Sequence, residues 1–138
     1  MAEGLLRDFL ARKERLGIQV LSAGTHTMPG MSPTQETLDV LAEAHIDASS
    51  HLSRQLTPDL VESSDAIFCM EEGHRDQILE MHPEWESKVH LLRPFRNSTP
   101  VPDPNIPDPI GRSKRVYEAC LATIKEGAER VMEWLEEP

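Results

Sequence analysis

Ala66-Ile67-Phe68-Cys69-Met70, followed by Glu71-Glu72-Gly73-His74-Arg75-Asp76-Gln77-Ile78-Leu79-Glu80-Met81, is the stretch that sets the fold class. Five apolar residues in an unbroken run have the length and character of a strand buried on both faces, the habit of parallel sheets. The two glutamates that follow favour a helix start, because carboxylates offset the positive end of the helix dipole. The spacing therefore predicts a strand over 66–70 and a helix over 71–81. Working outward, Val89-His90-Leu91-Leu92 reads as the next strand. Ile18, Val20 and Leu21 read as an earlier, short one that ends in Ser22-Ala23-Gly24-Thr25.

Helical patterns separate these runs. Met1–Leu10 places Leu5, Leu6, Phe9 and Leu10 on one stripe, with Gly17 as its expected C-cap. Ser32-Pro33 is expected to cap and open a helix through Leu38, Leu41 and Ala42, and Thr57-Pro58 a short one through Val61. A long helix is predicted from Ser113 to Leu135, with Val116, Cys120, Ile124, Val131 and Leu135 inward. Strands alternating with helices imply parallel α/β packing with right-handed crossovers. Met1–Leu10 begins with no cap and no strand leading into it, so a strand before Met1 is the expected missing element.

The chain has 138 residues and is expected to form one domain, 1–138. Its net charge of −10 argues against nucleic acid or an anionic membrane as partner. No apolar run approaches the ~20 residues of a membrane helix, and nothing resembles a secretory signal, so the cytoplasm is the expected location. Cys69 and Cys120 form neither a disulfide framework nor a zinc site, and the six histidines show no metal spacing. No metal and no cofactor are expected. Eleven prolines, dense between Pro94 and Pro109, mark one long irregular loop.

That loop carries the chemistry. In Asp108-Pro109-Ile110-Gly111 the proline restrains the aspartate, which suits a general acid that must protonate a leaving group from a fixed direction. Asp-Pro is also an ordinary turn pair. Asp103-Pro104 matches by residue type and lies farther from the helix that would anchor it. Cys69 and Arg75 satisfy the Cys-x5-Arg spacing of a phosphate-cradling loop. They are rejected in that role: Glu71 and Glu72 would each cost a few kcal/mol against a phosphate at ~4 Å and an effective dielectric near 20. Acidic neighbours also raise a thiol pKa, against activation. His51, beside Ser53 and Arg54, could orient other side chains.

In this order the segments resemble the low-molecular-weight protein-tyrosine phosphatase family over nearly the whole chain. Met1–Leu6 resembles the segment after the family's loop Cys-x5-Arg-Ser-Pro-x-Ala-Glu. Ser22–Thr25 resembles the turn after its second strand, His51–Leu56 its His-x-x-Arg-Gln segment, and Phe68–Glu71 a strand end whose Cys is not the nucleophile. Asp108-Pro109 resembles its general-acid motif. The resemblance implies a flavodoxin-like three-layer parallel sheet without its first, central strand. It also implies a cysteinyl-phosphate intermediate, Asp108 as acid, and His51, Glu3 and Ile110 as supporting site residues. The nucleophile and loop arginine are expected before Met1, making this chain an N-terminally truncated domain, inactive by itself. A start codon called too late and a degenerate paralogue both fit.

The implied substrates are phosphotyrosine or phosphoarginine on protein, a small phosphomonoester, or inorganic phosphate. Ile110 stands where tyrosine-specific members carry aromatics, which forgoes about 1 kcal/mol of ring stacking. In the family's strand order 2-1-3-4, loss of the first strand leaves a gap of ~9–10 Å. Residues 18–21 are therefore expected to close onto 66–70, or a second chain to fill the gap, giving a homodimer through exposed strand edges. Two competing readings remain. One is a thioredoxin-coupled arsenate reductase of the same fold, using Cys69 as relay, although its partner cysteine would fall where Asp76 stands. The other is a non-catalytic binding or dimerisation module.

Overall fold

The computed structural model describes all 138 residues. Its central feature is a parallel pair, β1 (Ile67–Cys69) and β2 (Val89–Leu91), with Phe68 opposite His90. Five α-helices surround it: α1 (Ala2–Arg12), α2 (Gln35–Glu43), α3 (Pro58–Ser63), α4 (Glu72–Met81) and α5 (Lys114–Leu135). A strand's side chains alternate between faces, and here the alternation builds two cores. Cys69 packs with Val61, Ile78, Val89 and Leu91 under α3 and α4. Phe68 and Met70 face the other way, onto Leu5, Leu41, Ile46, Leu92, Ile106, Ile124 and Val131 under α1, α2 and α5. The result is a three-layer α/β arrangement with a small parallel sheet, the flavodoxin-like class. No helix is long and apolar enough to cross a membrane.

The strand expected over Ile18–Leu21 does not form. Residues 18–23 are neither helix nor strand and make no backbone–backbone hydrogen bond. They do not close onto 66–70 either, since β1 pairs with β2 alone. The segment is tethered elsewhere. Gly24 bridges Gln55 in parallel, and Arg7 of α1 donates to the Val20 carbonyl at 2.8 and 3.2 Å.

Helix ends differ from expectation by local competition. Gly17 does not cap α1: the helix stops at Arg12, and Glu14 takes the left-handed turn at φ 55°. Thr34 rather than Ser32 caps α2, its hydroxyl accepting from the Thr37 amide at 3.3 Å, which leaves Pro33 outside. Thr57 caps α3 as expected, accepting from the Leu60 amide. At the far end of α3 the Lys88 ammonium donates to the carbonyls of Val61, Glu62 and Ser64 at 2.7, 3.2 and 2.9 Å. Those are groups a helix C-terminus leaves unpaired. Lys88 ends a single 3-10 segment, Pro83–Lys88, that the residue pattern did not reveal.

His90 on β2 packs beside the rings of Phe68 and Phe95, at 5.5 and 5.0 Å. Burial there lowers its pKa from the usual histidine value. The unfolded chain then binds the proton more readily, so stability rises with pH through this group and falls as pH drops below about 6.5. His90→Gln is expected to flatten the difference in urea midpoint between pH 7.5 and 5.5. An unchanged slope would refute the assignment.

Candidate active site

The proline-rich loop is fastened at several points before it reaches Asp108. The Asp103 carboxylate accepts from the Asn105 amide and side-chain nitrogen at 2.9 and 3.1 Å, closing a local turn. The Asn105 side-chain oxygen in turn accepts from the Glu72 amide at 2.7 Å, supplying the cap that Glu71 does not provide for α4. Arg93 donates to the carbonyls of Asp103 and Asn105, and Arg130 of α5 to those of Phe95 and Arg93. The buried Ile106 donates from its amide to the Met70 carbonyl at 2.8 Å, just beyond β1.

Asp108 itself is exposed, between the exposed Pro107 and the buried Pro109. One carboxylate oxygen accepts from the Ile110 amide at 3.0 Å, and the other makes no hydrogen bond to the protein. The turn closes through the Arg112 amide to the Pro109 carbonyl at 2.9 Å, with Gly111 at φ 77°. That torsion favours glycine, which alone lacks the Cβ that would clash there. Ile110 is 65% exposed beside the carboxylate. Asp103 spends one carboxylate oxygen, Oδ1, on both Asn105 donors.

The start of α1 faces the same region through Cys120. The Cys120 thiol lies 3.9 Å from the Pro107 carbonyl. Burial pushes this thiol up; the nearby Met1 amino group pulls it down and the nearby Asp108 carboxylate pushes it up further. One turn into the chain, the Glu3 carboxylate sits 2.8 Å from His51 Nδ1 and 3.6 Å from the Arg7 guanidinium, with its side chain only 10% exposed. The fold thus joins Glu3 to His51 and brings both the start of α1 and the Asp108 turn close to Cys120.

Cys69 lies on the opposite face of the sheet, in the core under α3 and α4. Burial pushes its thiol up to about 11, only partly offset by Arg75. Arg75 turns toward Asp76 at 3.7 Å. The anchoring residues Asn105, Arg93 and Arg130 were not anticipated. Asp103-Pro104-Asn105 does carry a turn signal, whereas the carbonyl partners of the two arginines have no local signature.

A nearby clamp shapes the loop after residue 24. Gln55 accepts from the Thr27 amide at 2.7 Å and donates to the Thr25 carbonyl at 2.8 Å. Ser53 adds a hydroxyl bond to the Met28 carbonyl and accepts from the Met31 amide.

Known proteins match nearly the whole of this chain. The chain is 32% identical over 136 residues to a protein-arginine-phosphatase of Geobacillus stearothermophilus, covering 99% of this chain and 86% of the relative. It is 30% identical over 129 residues to the probable low molecular weight protein-tyrosine-phosphatase EpsP of Ralstonia solanacearum, covering 94% and 81%. The solved YwlE arginine phosphatase from Geobacillus stearothermophilus superposes with a TM-score of 0.85 at 31% identity, over 98% of this chain and 82% of that one. The family description that fits residues 1–138 is low molecular weight phosphotyrosine protein phosphatase, and the chain belongs to that family.

Proposed function

We propose that this chain carries the acid-donating part of a phosphoprotein phosphatase site, with Asp108 as general acid and with His51, held by Glu3, bracing the site. The placement of Asp108 carries the reading. It stands on a loop fastened to β1 and α4, with one oxygen tied to the Ile110 amide and the other free. In that role the carboxylic acid gives its proton to the leaving atom, oxygen in a phosphotyrosine or nitrogen in a phosphoarginine, as its bond to phosphorus breaks, then takes a proton from the attacking water in the second displacement. Asp103 is assigned to loop structure, because its Oδ1 accepts both the amide and the side-chain nitrogen of Asn105, the residue whose own side chain fastens the loop to α4.

The substrate class is a phosphorylated protein side chain. Relatives include both arginine and tyrosine phosphatases. Ile110 offers apolar contact beside the acid and no aromatic ring to stack on a phenyl group. Neither thiol in this chain suits the nucleophile. Cys69 is buried away from Asp108 with its thiol held up at about 11, which also speaks against a redox relay of the arsenate-reductase kind. Cys120 is pushed up as well. This chain is therefore expected to show no sustained hydrolysis of p-nitrophenyl phosphate. A steady rate that disappears in Asp108→Ala would show that a nucleophile is present after all.

A further inference from the structure

Most cations of this acidic chain are spent on structure. Arg7, Arg12, Lys13, Arg96 and Lys114 each pair with a carboxylate. Lys88, Arg93 and Arg130 hold backbone carbonyls. Arg54, Arg112, Arg115 and Lys125 are different: all four are exposed, and none of their side chains makes an ion pair or a hydrogen bond. Lys114, between Arg112 and Arg115, is committed to Glu43 of α2 and has Glu118 and Asp39 as further acidic neighbours.

Position sets Arg112 and Arg115 apart from the other two. Arg112 ends the turn that displays Asp108, its amide bonded to the Pro109 carbonyl, and Arg115 lies in the first turn of α5. Moving along the chain from Asp108, the exposed residues include Ile110 and then Arg112 and Arg115, all within seven positions of the acid. We propose that Arg112 and Arg115 form a docking rim for acidic residues that flank the phosphorylated side chain of a protein substrate. The proposal rests on reading the Asp108 turn as the edge of a phosphoester site.

Charge selects the partner. A chain of net charge −10 repels an extended polyanion such as nucleic acid or an anionic bilayer. Two guanidiniums at one rim match a short run of glutamates or aspartates, which each can grip through paired N–H groups. An acidic segment would otherwise be repelled, so this patch decides which phosphorylated sequences can approach.

The test is a fluorescence-anisotropy titration of the full chain with two labelled phosphotyrosine peptides. One carries glutamates beside the phosphorylated residue and the other carries glutamines. At low ionic strength the glutamate peptide is expected to bind about tenfold more tightly, and the advantage should vanish in high salt. Arg112→Glu or Arg115→Glu should each remove roughly threefold of it, and the double variant all of it. Lys125→Glu makes the same change in net charge about 15 Å farther along α5 and should leave the advantage intact. Equal binding of the two peptides overturns the proposal. So does an effect of Lys125→Glu as large as that of Arg112→Glu, or binding of neither peptide. The titration reads binding rather than hydrolysis, so its failure is distinct from that of the turnover assay on Asp108.

Discussion

Leu92→Ala is expected to cost about 3–4 kcal/mol and to lower the melting temperature by roughly 10 °C. Leu92 is 1% exposed and belongs to the cluster that ties α1, through Leu5, to α5, through Ile124 and Val131, and to the acid loop through Ile106. The approach of α5 is set by Gly127. A Cβ there would lie 2.7 Å from Leu92 Cγ and 3.1 Å from the Leu92 carbonyl oxygen, so helix and side chain already touch. Removing the isobutyl group leaves a void whose walls are held apart. The Leu92 amide stays bonded to the Cys69 carbonyl, and Arg130 stays bonded to residues 93 and 95. Walls so fixed collapse poorly, which places the cost toward the middle or upper part of the usual range for such truncations. Thermal unfolding followed by circular dichroism measures it, and a shift under about 3 °C would mean the site relaxes freely.

Gly24→Ala should cost about 2–3 kcal/mol, and Thr27→Gly in the same chain should restore most of it. The reason is space rather than torsion. A Cβ on residue 24 would overlap the Thr27 hydroxyl and lie 2.9 Å from Thr27 Cβ. The turn cannot open cheaply, because Gln55 holds both Thr25 and Thr27, and Gly24 is bonded on both sides, to the Arg54 carbonyl and the Leu56 amide. Urea denaturation of the single and double variants decides the matter. A single variant within about 0.5 kcal/mol of the parent, or no recovery in the double, would refute the steric account.

Much of the fold was legible locally. The run Ala66–Met70 reads as a buried strand because it is unbroken and apolar, and β1 occupies its centre. Thr57-Pro58 and Ser113 mark helix starts because cap and proline torsions are properties of a few adjacent residues. The Asp108-Pro109-Ile110-Gly111 turn is likewise written in its own four residues, down to the glycine that its last torsion favours. Where local signals compete, they mislead by a residue or two. Thr34 took the cap expected at Ser32, and Glu14 took the left-handed turn ahead of Gly17.

The sequence by itself therefore determined the α/β class, the parallel pair at its centre, the main helices and the turn that presents Asp108. Only the tertiary structure decided that residues 18–23 remain unpaired and that Glu3 meets His51 across 48 positions of chain. It alone decided that Asn105 caps α4, that Lys88 closes α3, and that Arg112 and Arg115 are left free while their neighbours are spent. The physical reason is the range of the forces involved. Apolar periodicity and backbone torsion act over a few residues, so they can be read along the chain. A strand needs a neighbour, a carbonyl needs a donor and a cation needs a carboxylate, and each of those partners is supplied by packing between segments far apart in sequence.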